Sequence, residues 1–167
     1  GVYLIDQHAA HERVVYEKVK AQRERRQVEV QGLLEPLVLE VAPRQMEILS
    51  EQQEALVSYG FTVEPFGDKS FLVRSVPAVL AGQNLAEALK EILEALAEGA
   101  GVGWEEKVAI SLACHGAVRA GQVLSPEEMR ELVRQLERAE QPRTCPHGRP
   151  TMVHLSASQL EKEFGRR

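Results

Sequence analysis

The chain has 167 residues, 44% of them hydrophobic, enough to bury a core as one domain or as two small lobes. Its formal net charge of −5 excludes a bulk polyanion binder, it has no apolar run of membrane length, and no secretory leader is expected. Two cysteines, Cys114 and Cys145, are too few for a disulfide scaffold and point to a reducing cytoplasm.

The first residue is Gly and a strand follows at once, so the chain is expected to be a C-terminal piece of a longer protein. Val2-Tyr3-Leu4-Ile5 is apolar and β-prone, and reads as a buried strand. Helix formers follow, with Asp6 or Gln7 at the N-terminus of a helix over 8–26. Residues 27–41 read as extended, and Pro36 marks an edge or a bulge. Pro43 suits a first helical turn, and a helix is expected over 44–59, ended by Gly60. Residues 61–64 and 71–74 flank a hairpin loop. Asn84 and Glu87 form a capping box for a helix reaching about 97, and the glycine-rich 99–103 reads as a linker.

A helix is expected over 104–121. Ser125-Pro126-Glu127-Glu128 combines a cap, a first-turn proline and a Glu at the third position, and starts a helix to about 140. A proline-rich loop over 141–150 leads to a strand over 151–155. Ser156 and Gln159 then cap a short helix ending near Phe164. The expected fold is α/β (α+β) in two lobes, one of residues 1–42 and 100–167, the other, 43–99, inserted in it.

Asp6, His8 and Glu12 carry the first chemistry. At about 100° per residue His8 and Glu12 share a helix face, and Asp6 at the strand end can point to the same spot. Two carboxylates and an imidazole make a cradle for a divalent cation. The plainer reading is a cap and a solvated ion pair. In Cys145-Pro146-His147, alternate residues of an extended loop offer a thiolate and an imidazole, a donor pair that suits zinc. The plainer reading there is a buried Cys beside a surface His. Cys114 ranks above His115 as a ligand, because helix neighbours diverge by about 100° and Cys114 has apolar flanks. Its ordinary fate is core. His11 and His154 read as structural neighbours. Six basic residues between Arg13 and Arg26 stand against Glu17 and Glu24, which makes Arg23, Arg25 and Arg26 candidates to hold phosphates. A solvated face is the ordinary alternative.

These segments resemble one family. Asp6-Gln7-His8-Ala9 with Glu12 and Glu17 is similar to the DQHA(x)2E(x)4E motif of the C-terminal endonuclease domain of the MutL DNA mismatch-repair family. Ala113-Cys114 resembles its second short motif, with His115 where Lys or Arg is common. Cys145-Pro146-His147-Gly148-Arg149-Pro150 resembles its C-P-H-G-R-P segment, and Phe164-Gly165-Arg166 its closing F-x-R. The resemblance implies a metal-dependent endonuclease that nicks one DNA strand. Its ions would be held by Asp6, His8, Glu12, Cys114, Cys145 and His147, the first three being catalytic. The soft ligands suggest zinc, and nicking in the family goes with manganese. Glu17, about 140° round the helix from Glu12, would orient the helix rather than bind the same ion.

The resemblance further implies a homodimer in the bacterial cytoplasm, associated with the nucleoid, and an inserted regulatory lobe. ATP would act only through an N-terminal ATPase that this chain lacks. DNA, the mismatch-recognition protein MutS and the polymerase sliding clamp would be its partners, with no membrane. Gln31-Gly32-Leu33-Leu34-Glu35-Pro36 is similar to the family's clamp-binding segment, with Gln31, Leu33, Leu34 and Pro36 as the contacting residues. The alternative is ordinary strand core. For the whole chain, the alternative function is a non-catalytic, metal-binding homodimerisation module of the same repair protein.

Overall fold

The computed structural model describes residues 1–98, 103–119 and 121–166. In chain order the elements are β1 (Val2–Ile5), α1 (Gln7–Glu24), β2 (Val30–Glu40), α2 (Pro43–Glu51), α3 (Gln53–Ser58), β3 (Thr62–Pro65), β4 (Ser70–Pro77), a 3₁₀ turn (Ala78–Leu80), α4 (Leu85–Glu98), α5 (Trp104–Gly116), α6 (Pro126–Glu137), β5 (Met152–Leu155) and α7 (Ala157–Glu163). Helices and antiparallel sheets occur together, as expected for an α+β chain.

Two compact units result, Gly1–Val14 with Ala117–Arg167, and Val15–Gly116. These divide elsewhere than at 42/43 and 99/100. Strand β2 is hydrogen-bonded to β4, which draws 30–40 into the second unit, and Val108, Ala109, Leu112 and Ala113 of α5 share that unit's core. Most of the expected linker, residues 99–102, lies outside the described residues.

In the second unit β4 is the central strand, flanked by β2 and β3, both antiparallel to it. Phe71 and Val73 alternate inward from β4 and meet Phe61, Leu80, Ile92 and Leu112, all nearly or fully inaccessible to solvent. Each such side chain contributes about 1.5–3 kcal/mol by leaving water. Val15, Tyr16 and Val19 of α1 belong to the same core. On β2, Gly32 lies opposite Ser75 and Leu37 opposite Val73, so the four residues 33–36 face the single residue 74. Pro36 therefore sits in an edge-strand bulge, where its missing N–H breaks no ladder bond. The helix expected over 44–59 is two helices, α2 and α3, meeting at Gln52. Beside the break Gln53 Nε2 donates to the Val63 carbonyl at 2.7 Å, a long-range tie with no local signature. Helix α5 ends at Gly116 rather than 121. A Cβ there would lie 2.9 Å from the Val79 carbonyl oxygen, so the close approach requires glycine, which also propagates a helix poorly.

In the first unit Ala10, Leu124, Leu132 and Leu136 form a small core, with Val14, Val118 and Met152 against it. Ser125 and Glu128 make the expected reciprocal cap of α6, and Ser156 and Gln159 that of α7. Strands β1 and β5 pair antiparallel, Val2 with Leu155, Tyr3 with His154, Leu4 with Val153 and Ile5 with Met152. The expectation of a buried β1 is not met: all four of its residues are exposed, Tyr3 and Leu4 by more than half. Opposed residues share a face. Val2, Leu4, Val153 and Leu155 therefore form one aliphatic face of a two-stranded ribbon, the first three of them exposed.

Candidate metal centre

Helix α1 starts one residue after β1 ends. Asp6 Oδ1 accepts from the backbone N–H groups of His8 at 2.9 Å and Ala9 at 3.0 Å, satisfying donors that a helix start leaves open. Asp6 is thus the cap of α1, and its own N–H donates to the Thr151 carbonyl at 2.9 Å. One turn separates His8 from Glu12, and His8 Nε2 lies 3.2 Å from Glu12 Oε1.

Val118 fixes two imidazoles. Its carbonyl accepts from His8 Nδ1 at 2.7 Å, and its N–H donates to His11 Nδ1 at 2.8 Å. With Nδ1 of His8 carrying the donated proton, Nε2 is left to face Glu12, either as the cation of an ion pair or as a ligand beside it. An imidazole that ligates through one nitrogen commonly gives the other N–H to a carbonyl in this way. His11 is the complementary tautomer, protonated at Nε2. Burial, and then the charge of His8, hold its pKa below the usual imidazole value.

Glu12 is fully buried. An ionised carboxylate taken out of water needs charged or hydrogen-bonding partners. Besides His8 it has His147, with Nδ1 3.5 Å from Oε2, and Arg149, whose Nη2 lies 3.4 and 3.3 Å from the two oxygens. Cys145 is 1% exposed beside them. Donor atoms of Glu12, Cys145 and His147 lie within 4.8 Å of one another. Ligands on a tetrahedral zinc ion sit about 3.5 Å apart, given bonds of about 2.0–2.3 Å. Carboxylate, thiol and imidazole therefore fit such an ion in both spacing and chemistry. His147, 42% exposed, leaves one side open to solvent.

The loop carrying Cys145 and His147 is tighter than the extended run expected from the sequence. Gly148 N–H donates to the Cys145 carbonyl at 2.9 Å, closing a β-turn with Pro146 at its second position. Gly148, at φ +82°, takes a conformation that other residues adopt only at a cost. Cys145 N–H then meets the Arg149 carbonyl at 2.8 Å. The loop is tied to α1 by buried Arg13, whose Nε donates to the Thr144 carbonyl at 2.6 Å, and to itself by the Thr151 hydroxyl, which donates to the Pro142 carbonyl. Hydrogen bonding to Cys145, then the charge of Glu12, hold the Arg149 pKa above its ordinary value.

The geometry thus brings together Glu12, Cys145, His147 and, through Glu12, His8. Asp6 is exposed and engaged as a cap, outside that donor group. Cys114, on α5, and Glu17, on α1, belong to the second unit and are half-buried there; neither cysteine is in a disulfide. His115 Nε2 meets Glu91 Oε2 at 2.6 Å, and the His154 ring lies 4.5 Å from that of Tyr3. Of the three candidate phosphate-binding arginines, Arg25 and Arg26 are exposed. Arg23 is engaged, pairing with Glu105, donating to the Tyr59 hydroxyl at 3.0 Å and stacking on the Tyr59 ring. In the expected clamp segment Gln31 and Pro36 are exposed, Leu33 packs against the second core, and Leu34 is 105% exposed. Arg149 and Val118 were missed as site residues. Arg149 had a signal, its place two residues after His147, whereas Val118 acts through its backbone and had none.

A family model described as the MutL C terminal dimerisation domain matches residues 1–124. The chain is 43% identical over 176 residues to the DNA mismatch repair protein MutL of Rhodopseudomonas palustris strain BisA53, an alignment covering 100% of the chain and 28% of that relative. The protein of the same name from Azorhizobium caulinodans is also 43% identical, over 100% of the chain and 27% of the relative. That from Koribacter versatilis is 39% identical over 99% and 26%. The chain therefore spans about a quarter of the length of these relatives. Among the described residues no helix is long and apolar enough to cross a membrane.

Proposed function

The chain belongs to the MutL C-terminal dimerisation domain family, and on that premise we propose that it is a metal-dependent, DNA-nicking endonuclease domain of mismatch repair. The observation that carries the reading is the fully buried Glu12 carboxylate with His8, Cys145 and His147 turned toward it and one side open. Glu12, Cys145 and His147 would hold the ion, with His8 aimed beside them by Val118. Asp6 and Cys114 join as ligands by family resemblance, and Glu17 as an orienting group. A divalent cation there would polarise a phosphodiester and lower the pKa of an attacking water. Thiolate and imidazole favour zinc, and the nicking form is proposed to carry manganese.

Homodimerisation is proposed through the aliphatic β1–β5 face, supported by its exposure. DNA, MutS and the sliding clamp are the proposed partners, and the bacterial cytoplasm the compartment. Full exposure of Leu34 in the bulge supports a peptide-like contact of Gln31, Leu33, Leu34 and Pro36 with the clamp. The functional lobes stay proposed as 1–42 with 100–167, and 43–99. Glu12's complete burial favours a second reading, a structural ion in a dimerisation module without turnover.

Nicking of a supercoiled plasmid by the chain with manganese, with and without clamp, separates the two. The expected outcome is nicking by the wild type and a loss of at least about 100-fold on Glu12→Ala, with dimerisation kept. Metal binding without nicking, under both conditions, selects the structural reading.

A further inference from the structure

Arg149 shares the buried carboxylate with the proposed ion, and the two make conflicting demands on it. Its Nη2 lies 3.3–3.4 Å from both Glu12 oxygens. An ion between Glu12, Cys145 and His147 would use that same carboxylate. Two cations against one carboxylate repel, most strongly where water is excluded. The rest of Arg149 is not locked in: its side chain is 59% exposed and follows Gly148, so the guanidinium has solvent to move into.

We propose that Arg149 is an internal counter-ion for Glu12 with which a metal ion must compete, so that it sets the affinity of the pocket rather than serving as a bystander of the loop. The inference rests on the metal-site reading above. It predicts opposite signs for two quantities that a simple scaffold role would move together. Removing the guanidinium leaves buried Glu12 less compensated and weakens the chain without metal. It also removes a competing cation and tightens metal binding.

The test is zinc affinity, by competition with a chromophoric chelator, and thermal melting of the 167-residue chain in chelator and in saturating zinc. Arg149→Gln is expected to bind zinc about tenfold more tightly than wild type. Its melting temperature should fall in chelator and return toward the wild-type value in zinc, as linkage requires. Arg149→Lys, which keeps the charge, should stay near wild type in both. In chelator, Glu12→Gln with Arg149→Gln should cost less than the sum of the single changes, because each removes the other's partner. Weaker zinc binding by Arg149→Gln, an equal loss of melting temperature with and without zinc, or additive changes in the double variant overturns the proposal. Should wild type bind no zinc or manganese, the metal-site reading itself fails. The chelator measurements then still decide whether Arg149 compensates Glu12.

Discussion

Two antiparallel sheets in this chain are finished in different ways. In the second unit β4 has a neighbour on each side and turns Phe71 and Val73 into a core of aromatic and aliphatic side chains. In the first unit, among the described residues, β1 and β5 pair only with each other, and Val2, Tyr3, Leu4, Ile5 and Val153 all remain exposed. The exposed ribbon is in fact built from the more apolar sequence, Val2-Tyr3-Leu4-Ile5 against Met152-Val153-His154-Leu155. An isolated two-stranded ribbon is marginal in water, so the second kind needs cover from elsewhere. An apolar strand states a demand for cover, and does not say that its own chain supplies it.

The sharpest way to break this contrast is one substitution in each sheet. Phe71→Ala empties a site with no solvent access, and is expected to cost about 3–5 kcal/mol of unfolding free energy in urea. Leu4→Glu puts a charge on a face that is already wet, and should change the stability of the monomer by no more than about 0.5 kcal/mol. Its effect should appear in sedimentation instead, as conversion of dimer to monomer at micromolar concentration. A dimer that survives Leu4→Glu places the interface elsewhere. A large loss of monomer stability would show that β1 is covered within the chain.

Much of this architecture was legible because it is local. The caps at Ser125 with Glu128, and Ser156 with Gln159, need only residues three apart, and Pro36 marks its bulge through a missing N–H. Both halves of the candidate donor group were legible for the same reason, since His8 and Glu12 lie one turn apart and Cys145 and His147 two residues apart. Exposure of β1 was not legible, because burial depends on what lies opposite. Neither was the Arg149–Glu12 pairing, made across 137 positions by a turn whose geometry depends on Gly148. Val118 was the least accessible, since it acts only through backbone atoms.

A smaller effect sharpens a second side of the comparison. The first unit has few buried aliphatics and supplements them with fixed polar groups, His11 among them. Burial holds the folded pKa of His11 below 6.5, so the unfolded chain binds more protons between that lowered value and 6.5. Stability contributed by neutral His11 is therefore complete above pH 6.5 and is lost as pH falls through the lowered value. His11→Asn keeps an acceptor for the Val118 N–H without titrating. Urea unfolding at pH 7.5 and 5.5 should show a smaller acid loss for the variant than for wild type. An equal loss assigns the acid sensitivity to other groups.

The smallest expected effect compares two helix ends, one in each unit. Helix α7 closes with Gly165 N–H on the Lys162 carbonyl at 2.9 Å and Arg166 N–H on the Glu161 carbonyl at 2.7 Å, with Gly165 at φ +67°. Helix α1 closes the same way, Arg26 N–H on the Arg23 carbonyl at 3.0 Å and Gln27 N–H on the Gln22 carbonyl at 2.8 Å, but with Arg26 at φ +54°. This closure puts one residue in the left-handed region, where glycine fits and a side chain costs about 1–2 kcal/mol. Arg26→Gly removes that cost but gives the unfolded chain more freedom, worth about 0.4–1 kcal/mol the other way. The net expectation is a gain of about 0.5–1 kcal/mol in urea unfolding. The converse change, Gly165→Ala, should cost a similar amount at the end of α7. Arg26 is also one of the exposed arginines proposed to meet DNA, so Arg26→Gly separates backbone from side chain. Higher stability with weaker, less salt-dependent DNA binding fits a residue kept in a strained position for its charge. Higher stability with unchanged binding returns this end of α1 to a solvated face, and lower stability shows that the Arg26 side chain makes a contact the backbone argument leaves out.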